Sequence, residues 1–165
     1  MMNAEFDILN ASILIVDDQA ANVLLLEQLL AGTGYTKVRS TMDPLEVVAL
    51  HAQHRYDLIL LDLKMPGMDG FQVMEALKQN QLDQYLCVIV LTAEPGHKLR
   101  ALQAGAKDFI SKPFDLVEVK TRIHNILEVR LLYKKLENYS KLLELAMQQS
   151  SAEPAEVPMP KVSRA

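Results

Sequence analysis

The apolar residues of this chain fall into short, unbroken runs at residues 13–16, 58–61, 88–91 and 109–110. None alternates with polar residues, so each reads as a strand buried on both faces of a parallel sheet. Residues 37–42 form a weaker run of the same type. Between the runs the spacing turns helical. Val23, Leu26, Leu29 and Leu30 share one face of residues 19–31, and Gly32 and Gly34 close that segment. Asp43-Pro44-Leu45-Glu46 predicts a helix start, with an Asp cap, Pro at the first helical position and Glu three residues after the cap. Residues 71–79 follow a turn-rich loop, residues 94–104 end at Gly105, and Asp115 caps a last helix. Strand and helix thus alternate five times, with crossovers long enough for parallel pairing. The expected fold class is α/β, a (βα)5 doubly wound, five-stranded parallel sheet.

The last helix runs past the length that packing on a sheet requires. No Pro or Gly interrupts residues 115–150. Leu116, Val119, Ile123 and Ile126 suit packing on the sheet, and then the register changes. Val129, Leu132, Leu136, Tyr139, Leu143 and Ala146 repeat at spacings of three and four, the seam of a coiled coil. A lone helix buries nothing with such a seam, so a homodimer through this helix is expected. The organisation expected is a loose N-terminal leader (1–11), one domain (12–128), a coiled-coil helical extension (129–150) and a disordered tail (151–165) with three prolines.

Composition narrows the function classes. The 165 residues carry a formal net charge of −4, without a basic cluster larger than Lys134-Lys135, so direct nucleic-acid binding is not expected. No apolar stretch approaches the roughly 18 residues that span a bilayer, so no membrane partner is expected. Cys87, the single cysteine, reads as a small buried residue. Together these suit a cytoplasmic setting. The four histidines lack metal-like spacing.

The candidate chemistry sits where the runs end. Asp17 and Asp18 follow the first, Asp62 the second, Thr92 the third and Lys112-Pro113 the fourth. Polar residues at these positions converge on the carboxyl edge of an open α/β sheet. Converging carboxylates repel, and a hard divalent ion that shares its shell with phosphate oxygens, Mg²⁺ or Mn²⁺, would neutralise them. Asp62 is the nucleophile candidate, with Lys112 and Thr92 stabilising charge on a transferring phosphoryl group. Taken singly, each residue also fits a solvated turn, a helix cap or a surface charge. Their joint placement at four strand ends favours the site.

The segments Ile13-Leu14-Ile15-Val16-Asp17-Asp18, Asp57-Leu58-Ile59-Leu60-Leu61-Asp62-Leu63-Lys64-Met65-Pro66-Gly67-Met68-Asp69-Gly70, Val90-Leu91-Thr92-Ala93 and Gly105-Ala106-Lys107-Asp108-Phe109-Ile110-Ser111-Lys112-Pro113-Phe114 resemble the receiver domains of two-component response regulators. The resemblance covers about residues 11–128. It implies the flavodoxin-like strand order 2-1-3-4-5 and Asp62 as phosphoacceptor from a sensor histidine kinase or phosphotransfer protein. It also implies Mg²⁺ on Asp18, Asp17, Asp62 and the Lys64 backbone carbonyl, with Thr92 and Lys112 contacting the phosphoryl group. A cis bond between Lys112 and Pro113 is implied, as is Phe109 as a switch aromatic that turns inward. The expected output face joins the fourth helix, fifth strand and fifth helix. Lys64 and Glu94 are expected to flank the mouth, where an ion pair would hinder attacking water. Residues 122–133 are similar to linkers that join receivers to HD-GYP or GGDEF (cyclic-di-GMP phosphodiesterase or cyclase) domains, so a fragment of a larger enzyme is one alternative. A Mg²⁺-dependent phosphohydrolase with Asp62 as nucleophile is another. Such enzymes place a second acid where this chain has Lys64.

Overall fold

A computed structural model describes residues 4–80 and 85–152. Five strands form one parallel sheet: β1 Ser12–Val16, β2 Lys37–Thr41, β3 Leu58–Asp62, β4 Val88–Thr92 and β5 Asp108–Ser111. Their order is β2-β1-β3-β4-β5. The helices are α1 Ala4–Leu9, α2 Ala20–Thr33, α3 Val47–His54, α4 Gly70–Gln79, α5 Lys98–Gln103 and α6 Leu116–Ala152. The chain divides into two units, Met1–Leu131 and Leu132–Ala165.

In the first unit the absence of alternation has the expected cause. Side chains of one strand point alternately to opposite faces, and both faces are covered. Ile13, Ile15, Leu58, Leu60, Ile89, Leu91 and Ile110 join residues of α1, α2 and α6 in one core. Leu14, Val16, Ile59, Leu61, Val88 and Val90 join α3, α4 and α5 in the other. Cys87 is fully buried ahead of β4. Gly34 ends α2 with φ 111°, its amide donating to Leu30 O and Ala31 O, a left-handed closure that glycine adopts without cost.

Several expectations need correction. Residues 4–9 of the supposed loose leader are helical, and Ile8 and Ala11 are buried in the first core. The capping box predicted at Asp43 does not form. Asp43 accepts from Leu45 N, but Glu46 accepts from the Thr41 hydroxyl at 2.8 Å, and Pro44–Glu46 is a 3₁₀ turn ahead of α3. A second 3₁₀ turn, Pro95–His97, stands where the fourth helix was expected to begin. In each case Pro at the first position is compatible with the tighter turn. Of the expected packing face of α6, Val119 and Ile123 are fully buried and Ile126 packs against the same core, but Leu116 is 43% exposed, and Leu127 is buried in addition. The cap at Asp115 holds, its carboxylate accepting from Val117 N and Glu118 N.

One buried charge belongs to the same helix. Arg130 is 4% exposed; its Nη1 donates to Tyr85 O at 2.8 Å, and its Nε lies 3.6 Å from Asp57 Oδ1. Asp57 Oδ2 accepts from the amide and hydroxyl of Ser12. These contacts join the amino ends of β1, β3 and β4 to α6. In the second unit the helix continues with Leu132, Leu136, Tyr139 and Leu143 each more than half exposed. Ser151 and Ala152 are helical rather than part of a tail, and the expectation for residues 153–165 lies outside the described residues.

Candidate functional site

β1 and β3 are neighbours whose crossovers leave in opposite directions along the sheet, the point at which an α/β sheet opens a crevice at its carboxyl edge. Asp17 and Asp18 follow β1 and Asp62 ends β3, and ligand oxygens from these three lie within 4.8 Å of one another. Asp17 is fully buried and Asp62 is 4% exposed. Asp17 Oδ1 accepts from Gln19 N at 2.9 Å, which orders the start of α2, and Asp17 Oδ2 accepts from Lys112 Nζ at 3.2 Å. The same ammonium lies 3.1 Å from Asp62 Oδ1. A single ammonium thus serves two carboxylates, while Asp18 Oδ1 is buried with no hydrogen-bond partner.

This imbalance governs the electrostatics. Burial pushes the Asp62 carboxyl up to about 6, the Asp17 charge adds to it, and Lys112 opposes. A buried oxygen without a donor, beside a crowded Asp62 carboxylate that resists ionisation, fits a hard cation. The residues present therefore suit Mg²⁺, held through Asp17, Asp18 and Asp62, with oxygen ligands of the type that ion prefers.

Thr92 ends β4, buried, and its hydroxyl is engaged locally: it accepts from Glu94 N at 3.0 Å and donates to Glu94 O at 3.3 Å. Lys112 follows β5, and its bond to Pro113 is cis, as expected. A crevice of about 250 Å³ is lined by Gln19, Asp62, Leu63, Lys64, Thr92, Ala93, Glu94 and Lys112. The Lys64 and Glu94 side chains form an ion pair. Lys64 holds the exposed Glu94 carboxyl below its ordinary range. Phe109 stands apart from the crevice, half-buried on β5, with Lys98 Nζ 4.6 Å and Arg122 Cζ 5.5 Å from its ring centroid.

Sequence reasoning missed two contributors. Gly70 packs so closely beneath β3 that a Cβ there would stand 2.6 Å from Asp62 O and 2.9 Å from Leu63 Cα. The Asp69-Gly70 pair signalled a turn, not this approach. His97 carries no metal-like spacing and no other signal in the sequence, yet its Nε2 lies 3.1 Å from Glu94 Oε2.

Comparison with known proteins agrees with this geometry. Residues 13–124 match the family model described as the response regulator receiver domain. The response regulator PleD of Caulobacter vibrioides is 38% identical over 130 residues, which cover 78% of this chain and 28% of that protein. A Vibrio cholerae protein described as a probable cyclic di-GMP phosphodiesterase is 31% identical over 149 residues, covering 89% of this chain and 33% of its own length. The chain thus spans a third or less of these two relatives. Among solved structures, the receiver domain of a sensor histidine kinase from Pseudomonas aeruginosa, with a magnesium ion coordinated in its active-site cleft, superposes with a TM-score of 0.65. It is 29% identical, over 72% of this chain and 98% of that one.

Proposed function

The chain belongs to the response regulator receiver domain family, and on that premise we propose that Asp62 accepts a phosphoryl group from a phosphohistidine of a sensor histidine kinase or phosphotransfer protein. The observation that supports this most is the buried Asp62 carboxylate, 3.1 Å from Lys112 and crowded by Asp17 and Asp18 at the mouth of a crevice. A carboxylate oxygen attacks phosphorus, the P–N bond breaks with its electrons leaving on the imidazole, and an acyl phosphate forms. Lys112 neutralises charge on the transferred group and the Thr92 hydroxyl donates to it. Asp17, Asp18, Asp62 and the Lys64 carbonyl would hold Mg²⁺, which supplies charge neutralisation to the incoming oxygens. Turning of Thr92 toward the new anion shifts the population of the face formed by α5, β5 and the start of α6, with Phe109 moving inward from its place between Lys98 and Arg122. The Lys64–Glu94 pair slows hydrolysis of the product.

The test is labelling with acetyl phosphate and Mg²⁺, followed by intact mass. The unmodified chain should gain one phosphoryl group and Asp62→Asn none. A label of equal extent on the Asn variant would sink the assignment. A single addition without sustained release of phosphate from esters also separates the phosphoacceptor from a phosphohydrolase, whose second acid is replaced by Lys64.

The signal leaves through the C-terminal helix. Leu132, Leu136, Tyr139 and Leu143 are exposed at coiled-coil spacing and suit pairing with a second copy, together with Val129 and Ala146. Leu136→Glu with Leu143→Glu should turn a dimer into a monomer in sedimentation; an unchanged mass refutes the seam. The Vibrio cholerae relative above, about three times the length of the matched region, favours a second reading in which this receiver governs a cyclic-di-GMP phosphodiesterase output. A cytoplasmic setting suits such a kinase-coupled role. Among the described residues no helix is long and apolar enough to cross a membrane.

A further inference from the structure

The ion pair at the crevice mouth is tethered by side chains that the phosphoryl chemistry leaves unused. The Lys64 and Glu94 side chains are 71% and 42% exposed. An isolated pair that exposed adds little and does not hold its geometry. Glu94, however, has a second neighbour. His97 Nε2 lies 3.1 Å from the other carboxylate oxygen, Oε2. A carboxylate only accepts, so Nε2 carries the proton in this contact. The opposite nitrogen, Nδ1, is buried without a hydrogen-bond partner, a position better suited to a bare lone pair than to an N–H.

The imidazole is itself braced. It meets the Phe71 ring at 83° with centroids 5.9 Å apart, an edge contact. The guanidinium of Arg100 lies 3.9 Å from the centroid of the same ring. Phe71 stands in the first turn of α4, where Asp69 and Gln72 form a reciprocal capping box, and its backbone is therefore set by a helix and not by the loop. A path of direct contacts runs from α5 (Arg100) to α4 (Phe71), through His97 to Glu94, and on to Lys64. Leu63 and Lys64 also line both the phosphoryl crevice and an adjoining cavity of about 440 Å³ that includes Phe71, His97 and Arg100. Lys64 is thus a wall between the two spaces.

We propose that His97, braced by Phe71 and Arg100, is a positioning residue that fixes the Glu94 carboxylate so that the Lys64–Glu94 pair stays closed over Asp62 and sets the lifetime of the acyl phosphate. The proposal rests on Asp62 as phosphoacceptor. In hydrolysis a water oxygen attacks phosphorus, the bond from phosphorus to the Asp62 oxygen breaks, phosphate departs and the carboxylate is restored, with the water's protons passing to phosphate and solvent. That water has to enter past the pair. A carboxylate held from two sides keeps Lys64 across the opening, whereas one held from a single side lets it swing.

The test follows decay of the label on the full chain after acetyl phosphate is removed, by intact mass with Mg²⁺ present. His97→Ala should speed decay roughly twofold to tenfold, the factor that corresponds to the net worth of one hydrogen bond. His97→Gln, whose side-chain amide can donate to Glu94, should restore a rate near that of the unmodified chain. In a Glu94→Ala background, His97→Ala should add nothing. Should His97→Ala fold poorly, Phe71→Leu keeps an apolar side chain on α4, removes the bracing ring and should also speed decay. Unchanged decay in both variants, or the same acceleration with and without Glu94, would overturn the role of His97. Failure of the unmodified chain to take any label overturns the phosphoacceptor reading and this proposal with it.

Discussion

Replacing Asp62 by Asn should stabilise the metal-free protein at neutral pH, although it removes a contact to Lys112. The Asp62 carboxyl is held at about 6 against an ordinary 3.8, chiefly by burial and then by the Asp17 charge. Its ionisation in the folded state therefore costs about 3 kcal/mol relative to the unfolded chain. The Asn side chain forfeits the 3.1 Å approach of Lys112, and the surroundings relax in part around the native charge. The recoverable share is about 1–2 kcal/mol, or roughly 3–6 °C in Tm for a unit of this size. The sign follows from proton linkage. Between the two pKa values the folded state binds more protons than the unfolded one, so this group removes stability as pH rises through about 4 to 6, and the loss is complete above that window. The advantage of Asn should be full near pH 7.5, about half near pH 5 and absent near pH 4. Thermal unfolding with EDTA, followed by circular dichroism at each pH, reads the difference. Millimolar Mg²⁺ should then raise the Tm of the Asp62 chain more than that of the variant. A variant no more stable than the parent near pH 7.5, or one whose advantage is the same at every pH, would refute the view that uncompensated carboxylate charge dominates the crevice.

Other outcomes follow from single contacts. Arg130→Met leaves the Asp57 carboxylate buried without its guanidinium, and urea unfolding should show a loss of about 3–5 kcal/mol, most of it recovered by adding Asp57→Asn. A loss under about 1 kcal/mol would mean that the pair is solvated. Gly70→Ala places a Cβ 2.6 Å from Asp62 O, so β3 or α4 has to move. Stability should fall by about 1–3 kcal/mol and labelling of Asp62 should slow; parent-like values for both would show that the close approach is absent in solution.

The strands and the site at their ends were legible because burial on both faces leaves no alternation, as in residues 58–61, and because Asp17, Asp62 and Thr92 are the first polar residues after their runs, with Lys112 one residue beyond Ser111 after the last. What escaped depends on distant partners. The six residues of α1 are too few to be helical on their own account, and Ile8 is fixed by the core it enters, not by its neighbours in sequence. Arg130 sits at the start of a coiled-coil pattern, where a basic residue reads as exposed, and only the strand ends brought beneath it make its burial tenable. The 3₁₀ turns at Pro44 and Pro95 differ from the expected helix starts by one residue per hydrogen bond, a distinction that local propensity does not carry. His97 reads as surface until Phe71, from another element, closes on it.

The two bonds of the Thr92 hydroxyl bear on how little it takes to disturb the loop beyond β4. Both go to the backbone of Glu94, at 3.0 and 3.3 Å, within a span of two residues. Both are bonds between neutral groups and net only about 1 kcal/mol each, so the hydroxyl is parked, not locked. One charge-assisted acceptor in the crevice, worth about 1.5–3 kcal/mol, matches or exceeds what they hold. The residue they would release is Glu94, whose carboxylate meets Lys64 on one side and His97 on the other. On the proposed reading, capture of the hydroxyl would free the Glu94 backbone and leave those two side-chain contacts as what keeps the cover in place.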